Sequence, residues 1–425
     1  MAADASIDDE AVCPFCSLAC DDLRLKRTER GGVALIGPEC PLARTGYIEA
    51  GTSEAAPPRI EGHAAAESAA IQRAAALIAS SHAPLVAGLG AEVDGVRAAL
   101  ALADACGAAV DHLRAEGLMR VLLPLIERGG VQTTLSEMRN RADLVLVFGP
   151  DPRRLAPRLY ERALPPGGLF LQDGAGRRVT YIGGAPEAAL APHLSVEVVP
   201  APSDRLAEVA GALARLASGK LLPRPEVAGV PAARLAEIAD EMRTARYGVV
   251  LFAPALLDGA EPELAVAAIL HLVQELNRVT RWAVLPVAGG DGLVGASQAM
   301  LWQSGVPLRS RFTGDGPRFA PHRLGAERLL AAGEADLLIW ISAFRPVSPP
   351  DAPVPLIALA HPETRFSRAP EVLLPVGVPG VDHGGATFRM DGVVALPLAP
   401  TRASNRKSAA ELLAAIGRSL PERPQ

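Results

Sequence analysis

Residues 247–286 read YGVVLFAPALLDGAEPELAVAAILHLVQELNRVTRWAVLP. A short apolar run at 247–252 is followed by a segment with helical periodicity at 262–277, and a second apolar run follows at 282–286. Apolar runs of strand length that alternate with helical segments are typical of parallel sheets covered by helices. This stretch therefore predicts a strand-helix-strand unit of an α/β protein.

The same alternation extends over most of the chain. Further strand-length runs lie at 84–89, 142–148, 335–342 and 354–359, and further helical segments lie at 93–106 and 409–420. Hydrophobic side chains make up 49% of the 425 residues, which is enough apolar material for two or three domains with their own cores. We therefore predict an α/β protein with more than one domain.

Two stretches suggest where the domains meet. Residues 51–58 are small, polar and contain proline, which is typical of a linker, and residues 220–231 are interrupted by prolines. We predict a small N-terminal cysteine module at 1–56, an α/β domain at 57–220, and a second α/β domain with a closing segment at 221–425.

The charge balance excludes some classes of partner. Lys and Arg total 42 against 47 Asp and Glu, and the formal net charge is -5. A chain that grips nucleic acid or an anionic membrane carries a positive excess, so we predict neither as a partner. The acidic N-terminus lacks the features of a secretory signal, and no apolar run approaches the roughly 20 residues of a membrane helix. These features predict a cytoplasmic protein.

Four of the five cysteines lie near the N-terminus. Cys13, Cys16, Cys20 and Cys40 form a C-x2-C-x3-C-x19-C pattern, with three thiols in one tight loop. Four soft ligands at this spacing favour an iron–sulfur cluster of the 4Fe–4S type over a zinc ion, because zinc ligands usually arrive as two C-x2-C pairs. The remaining alternative is a set of small buried residues without a metal. Cys106 lies in an apolar helical segment and is predicted to be a core residue.

The cysteine pattern is part of a longer resemblance. CPFCSLACDDL and ECPLARTGY resemble the N-terminal cluster motif of the B subunit of formylmethanofuran dehydrogenase, a member of the molybdopterin oxidoreductase superfamily. Further similar blocks are LSEMRNRADLVLVFGPDP, AVLPVAGGDGLVGASQAMLWQSGVP, GEADLLIWISAF and HGGATFRMDGVVALPL, so that the resemblance covers residues 10–400. It implies two interwoven Rossmann-like α/β domains of the molybdopterin-oxidoreductase type.

The same resemblance implies a redox metal that this chain is poorly equipped to hold. In the dehydrogenase, tungsten or molybdenum is bound by two pterin dithiolenes and by a cysteine or selenocysteine. The corresponding stretch, VDHLRAEGLMRVLLPLI at 110–126, contains no cysteine, and the ligand position falls at or near Gly117. Cys106 comes too early in the chain. We therefore predict that no molybdopterin or tungstopterin is bound.

A branch of this family without the redox activity fits the sequence better. It is the B subunit of the formyltransferase/hydrolase complex of methylotrophic bacteria, for which the resemblance implies one-carbon chemistry in formaldehyde oxidation. A formyl group passes from formyl-tetrahydromethanopterin to methanofuran, and formylmethanofuran is hydrolysed to formate. The eight histidines are scattered, without H-x-H or H-E-x-x-H spacing, so no catalytic residue is expected here.

The partners then carry the chemistry. We expect an amidohydrolase-like subunit for hydrolysis, a formyltransferase subunit for formyl transfer and a further subunit of the same complex. Methanofuran is expected to be bound by the complex and not assigned to one of its subunits. The chain itself is interpreted as a non-redox structural subunit. The alternative is the catalytic subunit of a tungsten or molybdenum formylmethanofuran dehydrogenase.

Two glycine-rich motifs complete the candidate sites. Gly290, Asp291 and Gly292 begin GDGLVG, which matches G-x-G-x-x-G, but the acidic residue that a nicotinamide site needs does not follow. We interpret this segment as a loop once apposed to a pterin phosphate, with a free-standing NAD enzyme as a weaker alternative. His383 begins HGGATF, which resembles a Glu-Gly-Thr-Phe-like turn of the superfamily without its carboxylate. The favoured interpretation is a structural turn, with Arg389 and Asp391 flanking a hairpin. A vestigial pterin pocket is predicted near Gly117, Gly290, Asp291, Gly292 and His383.

A basic cluster follows the first motif. It comprises Arg309, Arg311, Arg318 and Arg323. Such a cluster either faces an anionic ligand, for example the glutamyl chain of a methanofuran-type carrier, or forms a solvated face or subunit contact. The sequence favours the second interpretation.

Overall fold

A computed structural model describes residues 6–52, 56–171 and 176–421. Within these residues the strands, in chain order, are β1 (Ser6–Ala11), β2 (Leu23–Arg27), β3 (Val33–Gly37), β4 (Arg59–Ile60), β5 (His63–Ala64), β6 (Pro84–Gly90), β7 (Ala109–Val110), β8 (Leu144–Phe148), β9 (Arg177–Ile182), β10 (Leu194–Val199), β11 (Glu226–Val227), β12 (Val230–Pro231), β13 (Gly248–Phe252), β14 (Trp282–Pro286), β15 (Ser310–Arg311), β16 (Arg318–Phe319), β17 (Leu337–Ser342), β18 (Leu356–Ala360), β19 (Val372–Pro375), β20 (Gly385–Phe388) and β21 (Ala395–Leu398).

The α-helices of the described residues are α1 (Pro41–Glu49), α2 (Glu67–Ser80), α3 (Val93–Cys106), α4 (Ala115–Arg128), α5 (Leu135–Arg141), α6 (Leu159–Ala163), α7 (Leu206–Ala217), α8 (Ala232–Thr244), α9 (Pro262–Leu276), α10 (Leu293–Ser304), α11 (Ala326–Ala331) and α12 (Ala409–Arg418). None of these helices is both long enough and apolar enough to cross a membrane.

The predicted strand-helix-strand unit is confirmed. It consists of β13, α9 and β14, and the two strands pair in parallel. The other predicted strands and helices are present with ends that differ by at most a few residues, and α3 has the predicted bounds. Hydrophobic periodicity within one segment was sufficient to find them.

The chain forms two compact units. The first comprises residues 1–115 and 290–425, and the second comprises residues 116–289. The predicted boundary at residue 220 lies inside the second unit, where the hairpin of β11 and β12 connects α7 to α8. Residues of α7 and α8 belong to one hydrophobic core, which explains why this proline-interrupted stretch does not separate domains.

The first unit is built on a nine-stranded sheet. The strand order is β16-β15-β7-β6-β17-β18-β19-β4-β5, and the pairs from β7 to β19 are parallel. Helix α3 contacts β6, and α2 contacts β19. Strands β6, β17 and β18 are buried along their whole length, as expected for parallel strands that are covered on both faces. A separate antiparallel sheet, β1-β2-β3, carries the N-terminal segment.

The second unit is a simpler α/β layer structure. Its parallel sheet has the order β10-β9-β8-β13-β14. Helices α7, α8 and α9 contribute to one core with side chains of β8, β13 and β14, among them Phe148, Phe252 and Trp282. This core explains why the segment from 116 to 289 forms its own unit.

One contact in this core yields a stability prediction. A Cβ atom at Gly248 would lie 2.1 Å from Cε2 of Trp282. The Trp282 ring is buried, and its Nε1 donates a hydrogen bond to the Met242 carbonyl at 3.0 Å, so it has little room to move. We expect Gly248→Ala to reduce the free energy of unfolding in urea by about 1–3 kcal/mol.

Gly211→Ala is the matched control for this substitution. Gly211 lies within α7, and a Cβ atom there would meet nothing in the described part of the chain within 4 Å. Alanine should stabilise the helix by about 1 kcal/mol, because glycine has low helix propensity. Equal effects of the two substitutions would contradict the steric argument.

Candidate functional site

The first three cysteines lie in a tight loop after β1. The Cys13 N–H donates to the Cys20 carbonyl at 2.8 Å, and the Ala19 N–H donates to the Cys16 carbonyl at 3.1 Å. Ala19 has a left-handed backbone with a φ of 45°. These bonds hold the three cysteines in one turn of chain, as the spacing predicts.

Helix α1 is placed against this loop and carries the fourth cysteine at its start. Cys40 directly precedes Pro41, the first residue of the helix. The Phe15 ring lies over Gly46, where a Cβ would come within 2.4 Å of the ring, and meets the Tyr47 ring edge-on at a centroid distance of 4.9 Å. Glycine at 46 is thus required for the close approach of the loop and the helix.

All four cysteine side chains are buried and influence one another electrostatically. Burial raises the pKa of the Cys16 thiol to about 11. Burial also raises the pKa of Cys13 well above its usual value, with further contributions from Cys16, Cys20 and Cys40. Ionisation of Cys13 and Cys16 is therefore favoured only with a nearby positive charge, which a metal ion or cluster would supply.

The donor chemistry suits an iron–sulfur cluster or zinc, since four buried thiols are available in one region. Within residues 6–52, 56–171 and 176–421, however, no group of three or more His, Cys, Asp or Glu side chains is placed so that it could hold a metal ion. The metal site at these cysteines stays a prediction. Cys106 is buried in α3, in keeping with its predicted place in the core.

The Gly290–Gly292 loop lies beside the cysteine loop in the first unit. A Cβ at Gly290 would lie 3.2 Å from Cα of Cys16, and a Cβ at Gly292 would lie 2.4 Å from the Ala91 carbonyl oxygen. Asp291 and Gly292 both have left-handed φ angles, 60° and 73°. The loop is therefore fixed between the cysteine loop and the carboxyl end of β6.

Asp291 forms ion pairs with two arginines of the first unit, Arg114 and Arg345. Its Oδ2 accepts from Arg114 Nε at 2.5 Å, and its two carboxylate oxygens accept from Arg345 Nε at 3.0 Å and Nη2 at 2.6 Å. Burial opposes ionisation of Asp291, but the bonds from both arginines outweigh it and hold the pKa of the carboxyl below its usual value. Asp291 is thus an anion enclosed by two guanidinium groups.

His112 supports the same loop as a neutral ring. Its Nδ1 accepts the Arg114 N–H at 3.0 Å, so Nε2 carries the proton and donates to the Asp291 carbonyl at 3.0 Å. Burial lowers the pKa of His112 to about 4. The ring therefore adds no charge to the Asp291 network near neutral pH.

His383 lies in a turn that precedes the hairpin of β20 and β21. Its Nδ1 is 2.8 Å from the Gly384 carbonyl, and its Nε2 is 3.2 Å from the Gly377 carbonyl. Arg389 and Asp391 lie in the connection between the two strands, as predicted for residues that flank a hairpin.

A carboxylate that the sequence motif lacks comes from another element. Glu92 is buried at the start of α3, and a Cβ at Gly385 would lie 2.4 Å from its Cγ. Burial raises the pKa of Glu92, and nearby His383 acts in the opposite direction. Glu92, the second residue after β6, thus supplies an acidic group to this turn, which sequence reasoning missed.

Gly117 belongs to the second unit, in α4. A Cβ there would lie 3.0 Å from the Ala255 side chain, so there is little space for a side chain at this position. The other four residues of the predicted vestigial pocket, Gly290, Asp291, Gly292 and His383, belong to the first unit.

The predicted basic cluster is divided among different partners. Arg309 is mostly buried and its Nε lies 3.6 Å from Oδ1 of the buried Asp111, whereas Arg318 forms an exposed ion pair with Asp315 at 3.1 Å. Arg323 is exposed. Arg309 therefore belongs to the interior of the first unit and not to a solvated basic face.

Two charged residues of this region that sequence reasoning missed share one signal. Glu92 and Arg345 each follow the carboxyl end of a parallel strand, namely β6 and β17. Since parallel strands end at one edge of a sheet, and ligands of α/β proteins bind at that edge, the positions could have been noted from the strand predictions alone.

Comparisons with known proteins give the class and then the family. No protein-family model matches the chain. Among solved structures, acetylene hydratase from Pelobacter acetylenicus matches with a TM-score of 0.64 and 10% identity, covering 97% of this chain and 69% of that one. This likeness shows the fold: the chain is an α/β protein of the molybdopterin-oxidoreductase type, as predicted.

Closer relatives define the family. The Fhc B subunit of the formyltransferase/hydrolase complex of Methylorubrum extorquens is 30% identical over 79% of this chain and 89% of its own length. The B subunit of the tungsten-containing formylmethanofuran dehydrogenase 2 of Methanocaldococcus jannaschii is 26% identical over 90% and 91%. The chain belongs to this family of B subunits.

A solved structure agrees with this assignment. The crystal structure of the formyltransferase/hydrolase complex FhcABCD from Methylorubrum extorquens, in complex with methylofuran, contains a chain that matches with a TM-score of 0.71 and 30% identity. The match covers 85% of this chain and 98% of that one.

Proposed function

We propose that the chain is the B subunit of a formyltransferase/hydrolase complex and that it supports this complex without an active site of its own. The complex transfers the formyl group of formyl-tetrahydromethanopterin to methanofuran and hydrolyses the product to formate, in the oxidation of formaldehyde. The 30% identical relative and the matching chain of FhcABCD support the assignment.

One observation carries the non-redox part of this proposal. The position that corresponds to the metal-binding cysteine of the dehydrogenase is predicted to fall at or near Gly117, and α4 contains neither cysteine nor histidine. A thiolate is the donor that a redox-cycling tungsten or molybdenum centre needs. Cys106 does not replace it, because this thiol is buried in α3, 3.8 Å from the Ala103 carbonyl.

The catalytic work is assigned to partners. Hydrolysis belongs to an amidohydrolase-like subunit and formyl transfer to a formyltransferase subunit, with one further subunit in the complex, which we place in the cytoplasm. The buried histidines of this chain support such a division. His112 is held by the Asp291 loop, and Nδ1 of His361 accepts the Glu363 N–H at 3.2 Å, so neither belongs to a paired metal-binding motif.

The four N-terminal cysteines are proposed to hold a 4Fe–4S cluster as a structural cross-link. When bound, the cluster would connect the 13–20 loop to the start of α1 through Cys40. Burial of all four thiols supports this role, because a buried soft donor set gains most from a bound cation.

Element analysis of the purified, anaerobically isolated complex tests both parts. We expect tungsten and molybdenum to be far below one atom per chain, and iron to approach about four atoms per chain. Cys40→Ser should lower the iron content, whereas Cys106→Ser, the matched control, should not. Iron that is absent from the wild type would contradict the cluster alone and leave the subunit assignment intact.

The dehydrogenase is the second candidate, since its B subunit is 26% identical over 90% of this chain. It predicts stoichiometric tungsten or molybdenum together with pterin. Mass spectrometry of copurifying proteins separates the candidates further, because our proposal requires hydrolase-like and formyltransferase-like partners. A stable preparation without either partner would refute it.

A further inference from the structure

The groups around the Asp291 carboxylate are those of an oxyanion-binding site, and the carboxylate itself occupies the position of the anion. Two guanidinium groups, from Arg114 and Arg345, converge on one carboxylate, and Arg345 engages both of its oxygens. Paired guanidinium groups that meet a planar or tetrahedral oxyanion are a common arrangement in carboxylate and phosphate recognition. Here the anion is a side chain of the same polypeptide.

The charges of this cluster do not cancel. Asp291 contributes one negative charge against two positive charges from Arg114 and Arg345, and His112 is neutral because burial lowers its pKa to about 4. The half-buried carboxylate of Glu49 also acts on Arg345 electrostatically, with a smaller effect than Asp291. Within the hydrogen-bonded group itself, two arginines therefore share one carboxylate.

Solvent access is distributed unequally between the partners. The Asp291 side chain is 2% exposed, whereas Arg114 and Arg345 are 29% and 22% exposed. The carboxylate is thus sealed beneath two cations that an ion in solution can still reach. Removal of the carboxylate would take away the buried anion that both cations share.

The backbone explains why the carboxylate stays in place. Gly290 and Gly292 hold the loop against its neighbours, and Asp291 has a left-handed φ of 60°. Asparagine and glycine tolerate this conformation, so either can replace Asp291 without a change of the backbone.

We propose that Arg114 and Arg345 form an oxyanion-binding site and that Asp291 occupies it as an internal ligand, closing it to phosphate and carboxylate ions from solution. The side chain competes from a fixed position, which gives it a high effective concentration relative to a free ion. This inference concerns the first unit alone and does not depend on the proposed function.

The test uses Asp291→Asn and Asp291→Gly in the full-length chain. Binding is measured by calorimetry and by the ion-dependent rise of the melting temperature at low ionic strength. Inorganic phosphate probes for a phosphate ligand, and acetate, which mimics the lost carboxylate, probes for a carboxylate ligand. We expect both variants to bind at least one of these ions about tenfold more tightly than the wild type does.

Two further variants make the result specific. Asp291→Asn combined with Arg345→Gln should lose the gained binding. Asp151→Asn, which removes a buried carboxylate that is paired with one arginine of the described residues, Arg153, should gain none. The proposal is overturned if folded Asp291 variants bind neither ion more tightly than the wild type, or if the Arg345 substitution leaves the gained binding unchanged.

Discussion

Replacement of Asp382 by alanine should destabilise the first unit by about 3–5 kcal/mol, because it removes the buried carboxylate that two buried arginines share. Asp382 accepts from Arg402 Nε at 2.8 Å and from Arg406 Nη1 at 3.3 Å. The side chains of Asp382, Arg402 and Arg406 are 0%, 3% and 6% exposed, so the whole network is buried. Urea unfolding followed by circular dichroism measures the loss.

The same network connects two distant segments of the chain, which the Asp382 substitution should loosen. Arg402 donates to the carbonyls of Ala50 and Gly51, just after α1, so it ties the N-terminal segment to the closing segment of the chain. Asp315→Ala, which removes an exposed ion pair with Arg318, is the control and should cost less than about 1 kcal/mol. A loss at Asp382 no larger than the loss at Asp315 would refute the importance of the buried network.

His361 should make the stability of the first unit depend on pH between about 6.5 and about 4. Burial lowers the pKa of His361 to about 4, with Arg406 contributing in the same direction. As the pH falls below about 6.5, the unfolded chain binds a proton that the folded chain refuses. The folded state therefore loses up to about 3 kcal/mol from this group by pH 4.

The comparison of wild type with His361→Asn isolates this effect. Burial raises the pKa of Asp111 to about 6, so its contribution to the stability of the folded state increases as the pH falls through the same range. Both proteins contain Asp111, so subtraction of the two pH profiles removes this contribution. The asparagine side-chain oxygen can accept the Glu363 N–H in place of Nδ1. The stability advantage of the wild type over His361→Asn should shrink as the pH falls.

Thr364→Val provides the control for the pH profile. Thr364 lies in the same turn, and its buried hydroxyl, like Nε2 of His361, has no hydrogen-bond partner among the described residues. Because the substitution removes no titrating group, its effect on the free energy of unfolding should be the same at every pH. A wild-type profile parallel to that of His361→Asn would show that the histidine does not titrate as described.

The elements of the fold were predictable because each depends on a local pattern. The apolar run of β13 and the periodicity of α9 are visible within one segment. The two units were not predictable in this way. Strand β6 pairs with β17, which follows the whole second unit in the chain, and no local pattern encodes that partner.

The candidate site divides along the same line. The cysteines at 13, 16 and 20 and the glycines on either side of Asp291 lie in short stretches of sequence, so their motifs are visible in the sequence alone. The partners of Asp291 are not, since Arg114 and Arg345 lie on separate connections and carry no motif of their own. Single charged residues in loops have no periodicity, so only the folded chain reveals which of them meet.

The division of the first unit into two sequence segments has a consequence for synthesis on the ribosome. When β6 emerges, its neighbour β17 has not yet been translated, whereas the second unit is continuous and can fold as soon as it leaves the exit tunnel. The loop that carries Cys13, Cys16 and Cys20 therefore lacks its contact with the Gly290 loop until residues beyond 290 have been translated. We expect nascent chains arrested before β17 to be protease-resistant only in the inserted segment and to need chaperones for the rest.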